Sequence, residues 1–331
     1  MEYRALGNTD IKLSAITYGS FAIGGNMWGG NVHKDSIASV QASLENGVTT
    51  IDTAPFYGFG LSEEVIGEAI KGKDRSSIQL LTKFGLVWDG SNQGKGIHFF
   101  DAVENGNTIP VYKYAGKGSI IREVEDSLKR LKTDYIDLLQ LHWPDDSTAI
   151  SEVMETMERL VEQGKIRAAG VSNYAVAQLD EAAETFLPAS NQVAYSMLNR
   201  SIESDLVPYA IQNKVGIIAY SPMERGLLTG KYFQDGKLKE DDHRNEYFKQ
   251  FDLHKVKGFL DKLSGLAADK SVSLAQLVLR WTTLQDGITV VLAGARNAEQ
   301  AIQNAKAMEV SLSHEELTFI EKELTHVISA N

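Results

Sequence analysis

Four residues of this 331-residue chain have side chains suited to moving a proton and a negative charge: Asp52, Tyr57, Lys83 and His142. Asp52 closes the apolar stretch VTTID, and Tyr57 follows in the turn APFYGFG, which Pro55, Gly58 and Gly60 punctuate. Lys83 stands in LLTKFG and His142 in LLQLHWPD, each at the end of an apolar run. A lysine buried at such a place needs a partner, and Asp52 is the available carboxylate. An ammonium beside a phenol favours the phenolate and lowers its pKa from about 10 by roughly 1–3 units. Tyr57 then becomes a usable general acid. Singly, each residue has a plainer role. His142 beside Trp143-Pro144 serves equally as a structural histidine, Asp52 and Lys83 as a strand-joining ion pair, and Tyr57 as a packing aromatic. Only the constellation carries chemistry.

The elements that must bring these four together are legible as alternating patterns. Near-continuous apolar runs at 15–18, 49–52, 78–82, 135–141, 166–171, 191–195, 216–220 and 288–292 read as strands buried on both faces. Helical periodicity follows each of them, near 34–46, 61–70, 119–131, 147–163, 175–185, 203–213, 272–285 and 297–306. Eight strand–helix units with right-handed crossovers predict an α/β fold, a (β/α)8 TIM barrel spanning 1–331 as one domain; a doubly wound sheet is the alternative. In such a barrel the four residues share the rim at the strands' C-terminal ends. Three segments stand outside the period. Residues 3–13 predict an N-terminal β-hairpin turning at Gly7-Asn8 and closing the barrel bottom. Residues 85–118 and 222–253 read as long loops after strands three and seven, suited to lids or binding loops. A C-terminal helix is expected near 312–323.

Composition narrows the partners. A formal net charge of −11 repels nucleic acid and anionic membrane surfaces, so a phosphate-bearing ligand needs a local basic pocket. No cysteine is present, which removes thiolate chemistry, disulfides and sulfur metal sites. MEYRALGNTD carries no apolar leader, and no apolar run approaches the ~18 residues of a membrane span. The expectation is a soluble, cytoplasmic protein acting on a small molecule.

Six stretches in order carry a resemblance: DTAPFYGFGLSEEVIG, LLTKFG, DSLKRLKTDYIDLLQLHWPD, GKIRAAGVSNY, YSPMERGLLTGKY and AGARNAEQAIQNAKA. Over essentially its whole length the chain resembles an aldo-keto reductase, and is most similar to bacterial members of the general-stress and inositol-associated branch. The resemblance implies reduction of an aldehyde or ketone by hydride from NAD(P)H, without a metal, with Asp52, Tyr57, Lys83 and His142 as the catalytic tetrad. Tyr57 is then the general acid, tuned by Lys83 and Asp52, and His142 orients the carbonyl.

The resemblance also implies the cofactor contacts. Ser172, Asn173 and Gln192 would hydrogen-bond the nicotinamide carboxamide, with Tyr220 stacking on the ring, and Gly19, Ser20, Phe21 and Asp52 lie at the same end. Helix capping for Ser172 and Asn173 and core packing for Tyr220 are the plainer alternatives. No GxGxxG opens a helix after a strand, so the dinucleotide would be held otherwise than in a Rossmann fold. Its phosphates need cations or bare amides. Ser221, Pro222, Gly226, Leu227 and Lys231 supply one loop; Gly294, Ala295 and Arg296 lead into the last barrel helix. A guanidinium matches phosphate oxygens bidentately, so Arg296 argues for NADPH, with NADH possible. Gln300 and Asn304 match adenine-contacting positions of the family. Phe21, Trp28, Phe56, Trp88 and Trp143 predict an aromatic-lined substrate pocket. Departures from the family pattern are Tyr18-Gly19-Ser20, which bears on the nicotinamide floor, and Leu292-Ala293 before Gly294. Two rival readings are an NADPH-binding redox sensor or partner module with little turnover, and an aldolase forming a Schiff base on Lys83.

Overall fold

The structure, a computed structural model, describes residues 1–24, 32–104, 106–234, 238, 242 and 244–328. Eight parallel strands close into a barrel: β1 (Ile16–Gly19), β2 (Thr50–Asp52), β3 (Gln79–Phe84), β4 (Ile136–Leu141), β5 (Ile166–Ser172), β6 (Ser190–Ala194), β7 (Gly216–Tyr220) and β8 (Ile288–Gly294). The ring is sealed by β8 against β1, with Val291 opposite Ile16. The predicted barrel, and not the doubly wound sheet, is therefore the fold.

The pleat sorts side chains into two shells. Leu80, Phe84, Leu139, Leu141, Val171, Ile217 and Val291 belong to the cluster between strands and outer helices. Their neighbours Leu81, Leu138, Ala168, Ile218 and Val290 belong to a second cluster inside the barrel. With a side-chain period of two, Lys83 follows Leu81 and Gln140 follows Leu138 on the inner face. The polar layer thus lies one step nearer the strands' C-terminal ends than the apolar one.

The N-terminal hairpin pairs Tyr3–Ala5 with Lys12–Ser14, and its Leu6, Ile11 and Leu13 are buried in the barrel's inner cluster. It plugs the bottom, as expected. Gly7 makes that turn possible. Its φ is +54°, and a Cβ there would stand 2.3 Å from the carbonyl oxygen of Ala189 and 2.7 Å from that of Lys214.

Two of the expected long loops have more structure than their sequences suggested. Residues 85–118 contain an antiparallel sheet of Leu86–Val87, Ile97–Glu104 and Asn107–Lys113, with Asn107–Lys113 in the centre. Glycines and polar residues masked the alternation, which is weak because most of the 97–104 strand faces solvent. Residues 222–253 contain a 3-10 turn at Glu224–Thr229 and short helices at Lys231–Gln234 and Arg244–Phe248, and beyond them follows an unanticipated 17-residue helix, Leu253–Asp269. Gly258 and Gly265 argue locally against it. The Asp252 carboxylate caps it through the N–H groups of His254 and Lys255, and Val256, Phe259, Leu260, Leu263 and Ala267 bury one stripe. The last helix runs over His314–Ile328, longer than 312–323 implied. No helix among the described residues is long and apolar enough to cross a membrane.

Candidate active site

Lys83 is the centre of the polar layer. It is 1% exposed, and its ammonium donates to Asp52 Oδ2 at 2.7 Å, to the Thr53 carbonyl at 2.9 Å and to the Tyr57 hydroxyl at 3.2 Å. An ammonium has three donors, and all three are used. Asp52, also 1% exposed, takes two more bonds on Oδ1, from Gln140 Nε2 at 3.2 Å and Gln192 Nε2 at 2.8 Å. The Gln192 amide also donates to Gln140 Oε1 at 3.2 Å. Asp52 is thus fixed from both sides, and a buried ion pair is fully hydrogen bonded.

The electrostatics differ from the sequence expectation at Tyr57. Burial pushes its phenol above the usual value; the Lys83 ammonium pulls it down, but burial and the Asp52 charge together win. The pKa is raised, not lowered. Burial also opposes the charge on Lys83, yet Asp52 and the Tyr57 oxygen hold its pKa above the ordinary lysine value, so it stays an ammonium. Burial, seconded by Lys83, depresses His142 well below an ordinary histidine, leaving a neutral imidazole at physiological pH. Its ring lies 5.8 Å from that of Tyr57, nearly perpendicular at 77°, and its backbone N–H donates to the Phe84 carbonyl at 2.9 Å. Because the Tyr57 oxygen accepts from Lys83, its own proton is left to point elsewhere. A phenol and a neutral imidazole side by side form a pair of hydrogen-bond donors suited to one carbonyl oxygen.

The strand ends of β4 to β7 carry a second chain of polar groups. Ser172 Oγ donates to the Gln192 carbonyl at 2.7 Å, Asn173 Nδ2 to Ser172 Oγ at 3.1 Å and to the His142 carbonyl at 3.3 Å, and the Tyr220 hydroxyl to Asn173 Oδ1 at 2.9 Å. Ser172 and Asn173 are not helix caps, since the following helix is capped at Ala175. Positive φ at Asn173 (+61°), Ser221 (+56°), Glu224 (+46°) and Arg225 (+52°) gathers non-glycine strain at this rim. The carboxylate of Glu224, 1% exposed, anchors the 3-10 turn through Ser196 Oγ and the Tyr247 hydroxyl, and Arg225 stacks 3.7 Å over the Tyr247 ring. In that turn Pro222 and Leu227 are buried, Gly226 has a φ of +94°, and Lys231 is exposed.

On the other side, Gly294 and Arg296 are exposed at the entry of the helix Ala298–Lys306, while Ala295 is buried. The helix is capped reciprocally: Gln300 N–H donates to Asn297 Oδ1 at 2.9 Å and Arg296 N–H to Gln300 Oε1 at 3.0 Å. The Asn304 amide holds the Gly294 carbonyl at 3.0 Å. Both amides therefore shape this loop. Gly19 ends β1 opposite Asp52, and the buried Ser20 hydroxyl accepts from Ser62 at 2.8 Å. Tyr18 points outward, donating to the Ala295 carbonyl at 2.9 Å and lying 3.0 Å from Ser39 Oγ, so its ring does not form the nicotinamide floor. The hydroxyl and amide groups of Ser172 and Asn173 and the guanidinium of Arg296 near a helix N-terminus suit a nicotinamide dinucleotide, whereas the Gln192 amide, expected on the carboxamide, places both its hydrogens on Asp52 and Gln140.

The sequence model for the aldo/keto reductase family matches residues 15–324. The chain belongs to the aldo/keto reductase family. It is 39% identical to the aldo-keto reductase YhdN of Bacillus subtilis, over 99% of this chain and 95% of that one. To the NADH-specific methylglyoxal reductase of Escherichia coli it is 33% identical, over 95% and 96% respectively. Its fold is similar to that of the glycerol dehydrogenase AKR11B4 from Gluconobacter oxydans, with a TM-score of 0.87 and 34% identity over 99% of this chain and 97% of that one. This aldo/keto reductase is accordingly a nicotinamide-dependent oxidoreductase acting on carbonyl compounds.

Of the aromatic residues expected at the mouth, Phe21 is 38% exposed with its ring 4.9 Å from Tyr57, and Phe56 lies 5.9 Å from Trp88. Trp28 lies outside the described residues. Sequence reasoning missed Gln140, although its inward register two residues before His142 marks it. It also missed Phe59, Phe99 and Phe100. Phe59 packs on Phe56 and Trp88 at 5.6 and 5.7 Å; Phe100 meets Phe56 at 5.5 Å and Phe99 meets Trp143 at 5.3 Å.

Proposed function

We propose that this reductase uses NADPH to reduce an aldehyde or ketone, with Tyr57 delivering the proton. The observation that carries the reading is the three-bond hold on Lys83, which makes the Tyr57 oxygen an acceptor and turns its proton toward the mouth. The cofactor supplies hydride to the carbonyl carbon. As charge grows on the carbonyl oxygen, Tyr57 and the neutral His142 donate to it, and the tyrosine proton transfers. Lys83 then stabilises the phenolate left on Tyr57, and Asp52, locked by Gln140 and Gln192, keeps Lys83 charged and in place. The raised pKa of Tyr57 secures the proton until the oxygen needs it.

Relatives named for methylglyoxal reduction and glycerol dehydrogenation support carbonyl and alcohol substrates. Arg296, exposed at a helix entry, favours NADPH through an adenosine 2′-phosphate. A relative named as NADH-specific makes that preference a point to test directly. The test follows loss of reduced-nicotinamide absorbance with NADPH and with NADH over a panel of aldehydes and ketones. Expected is turnover favouring NADPH that falls at least about a hundredfold in Tyr57→Phe, the range of one general acid. Equal activity in that variant would remove Tyr57 as the acid.

A further inference from the structure

The sheet inserted after β3 contains an irregularity aimed at the site. Its strands 97–104 and 107–113 keep regular pairing from Glu104–Asn107 to Phe100–Val111, then slip, so that His98 pairs with Tyr112 and Phe99 is the extra residue. A bulge of this kind re-aims side chains and bends its strand. Here two consecutive rings, Phe99 and Phe100, sit 5.1 Å apart, and each reaches a different barrel loop. Phe100 lies 5.5 Å from Phe56, the residue before Tyr57. Phe99 lies 5.3 Å from Trp143, the residue after His142. The Lys113 ammonium stands 5.4 Å over the Phe99 ring and helps hold it, and Phe99 remains 36% exposed.

The bulged pair therefore joins the aromatic neighbours of both hydrogen-bond donors into one wall. A substituent that extends from a carbonyl at Tyr57 and His142 toward Phe56 or Trp143 would meet Phe100 or Phe99 packed against them. Edge-to-face and offset contacts among rings favour another flat ring. We propose that Phe99 and Phe100 determine specificity, selecting carbonyl compounds that bear a flat apolar group, aryl aldehydes or aryl ketones, over small polar ones. This rests on the reductase reading above.

The test measures kcat/KM for benzaldehyde and for methylglyoxal in the full-length enzyme and in Phe99→Ala, Phe100→Ala and Phe99→Leu. The readout is the benzaldehyde-to-methylglyoxal ratio relative to wild type, which cancels the intrinsic reactivities of the two carbonyls. Expected is a fall in that ratio of about tenfold in each alanine variant, chiefly through KM for benzaldehyde, with partial recovery in Phe99→Leu. Leucine restores bulk but not a flat ring, so it also decides the matter where an alanine variant fails to fold. A ratio that stays within twofold of wild type, whether turnover of the two substrates is unchanged or falls together, overturns the proposal while leaving the reductase reading standing. If wild type reduces neither these nor any other carbonyl, the reductase reading itself fails, and this inference with it.

Discussion

At the scale of single residues, the active site is an ion pair whose surroundings satisfy every donor of the cation. Lys83→Met leaves the Asp52 carboxylate buried with only the Gln140 and Gln192 amides. Removing one partner of a buried pair costs roughly 3–5 kcal/mol, and we expect a loss in that range in urea unfolding, with most of it recovered in the Asp52→Asn, Lys83→Met double variant. A second prediction concerns pH. His142 is held neutral in the folded protein, its pKa depressed by burial and by Lys83. In the unfolded chain it takes up a proton as pH falls through about 6.5. Its contribution is thus intact above that value and is lost as pH falls below it toward the folded pKa, at up to about 1.4 kcal/mol per unit. Urea midpoints of wild type and His142→Gln measured between pH 7.5 and 5.5 should diverge with that sign; parallel midpoints would contradict it. Asp52, Lys83 and His142 were legible because each ends an apolar run, and Tyr57 because it follows Asp52 in a turn punctuated by Pro55, Gly58 and Gly60. Burial was not, and it reverses the expected direction at Tyr57. Gln140 shows the same limit: one polar residue within LLQLHW has no chemistry to announce it until the barrel turns it onto Asp52.

At the scale of elements, the parts that could be read were those whose pattern is strong and local. The strands near β3 and β4 are continuous apolar runs, and alternation along them fixes which side chain faces in. The sheet over 86–113 and the helix Leu253–Asp269 escaped because their local preferences point the other way, through exposed strand residues in one and two internal glycines in the other. Tertiary cover decides both. The N-terminal hairpin shows the opposite case, a turn whose one glycine says everything. Gly7→Ala would bring a Cβ against two carbonyl oxygens at a φ that disfavours it. Expected is a destabilisation of about 1–3 kcal/mol, read as a lowered urea midpoint with an unchanged slope. Methylglyoxal turnover at low temperature serves as the check that the site, at the far end of the barrel, is still assembled.

At the scale of the molecule, a net charge of −11 coexists with affinity for a ligand carrying phosphates, so the cations that matter are few and local. Arg296, exposed at the entry of the helix Ala298–Lys306, is the cation we propose for the 2′-phosphate. Arg296→Ala is expected to raise KM for NADPH by roughly tenfold and to alter KM for NADH much less, the signature of a contact to the 2′-phosphate. Equal changes for both cofactors would assign Arg296 to the shared pyrophosphate or to loop shape through Gln300. Alternation identifies the barrel, and the six motifs its family, whereas the bulge proposed to set substrate choice is one extra residue that no periodicity signals. The hairpin that fills the bottom with Leu6, Ile11 and Leu13 has a further consequence. With the strands' N-terminal ends closed by apolar side chains, only the opposite face is left for traffic, so cofactor and substrate share one approach to Asp52, Tyr57, Lys83 and His142.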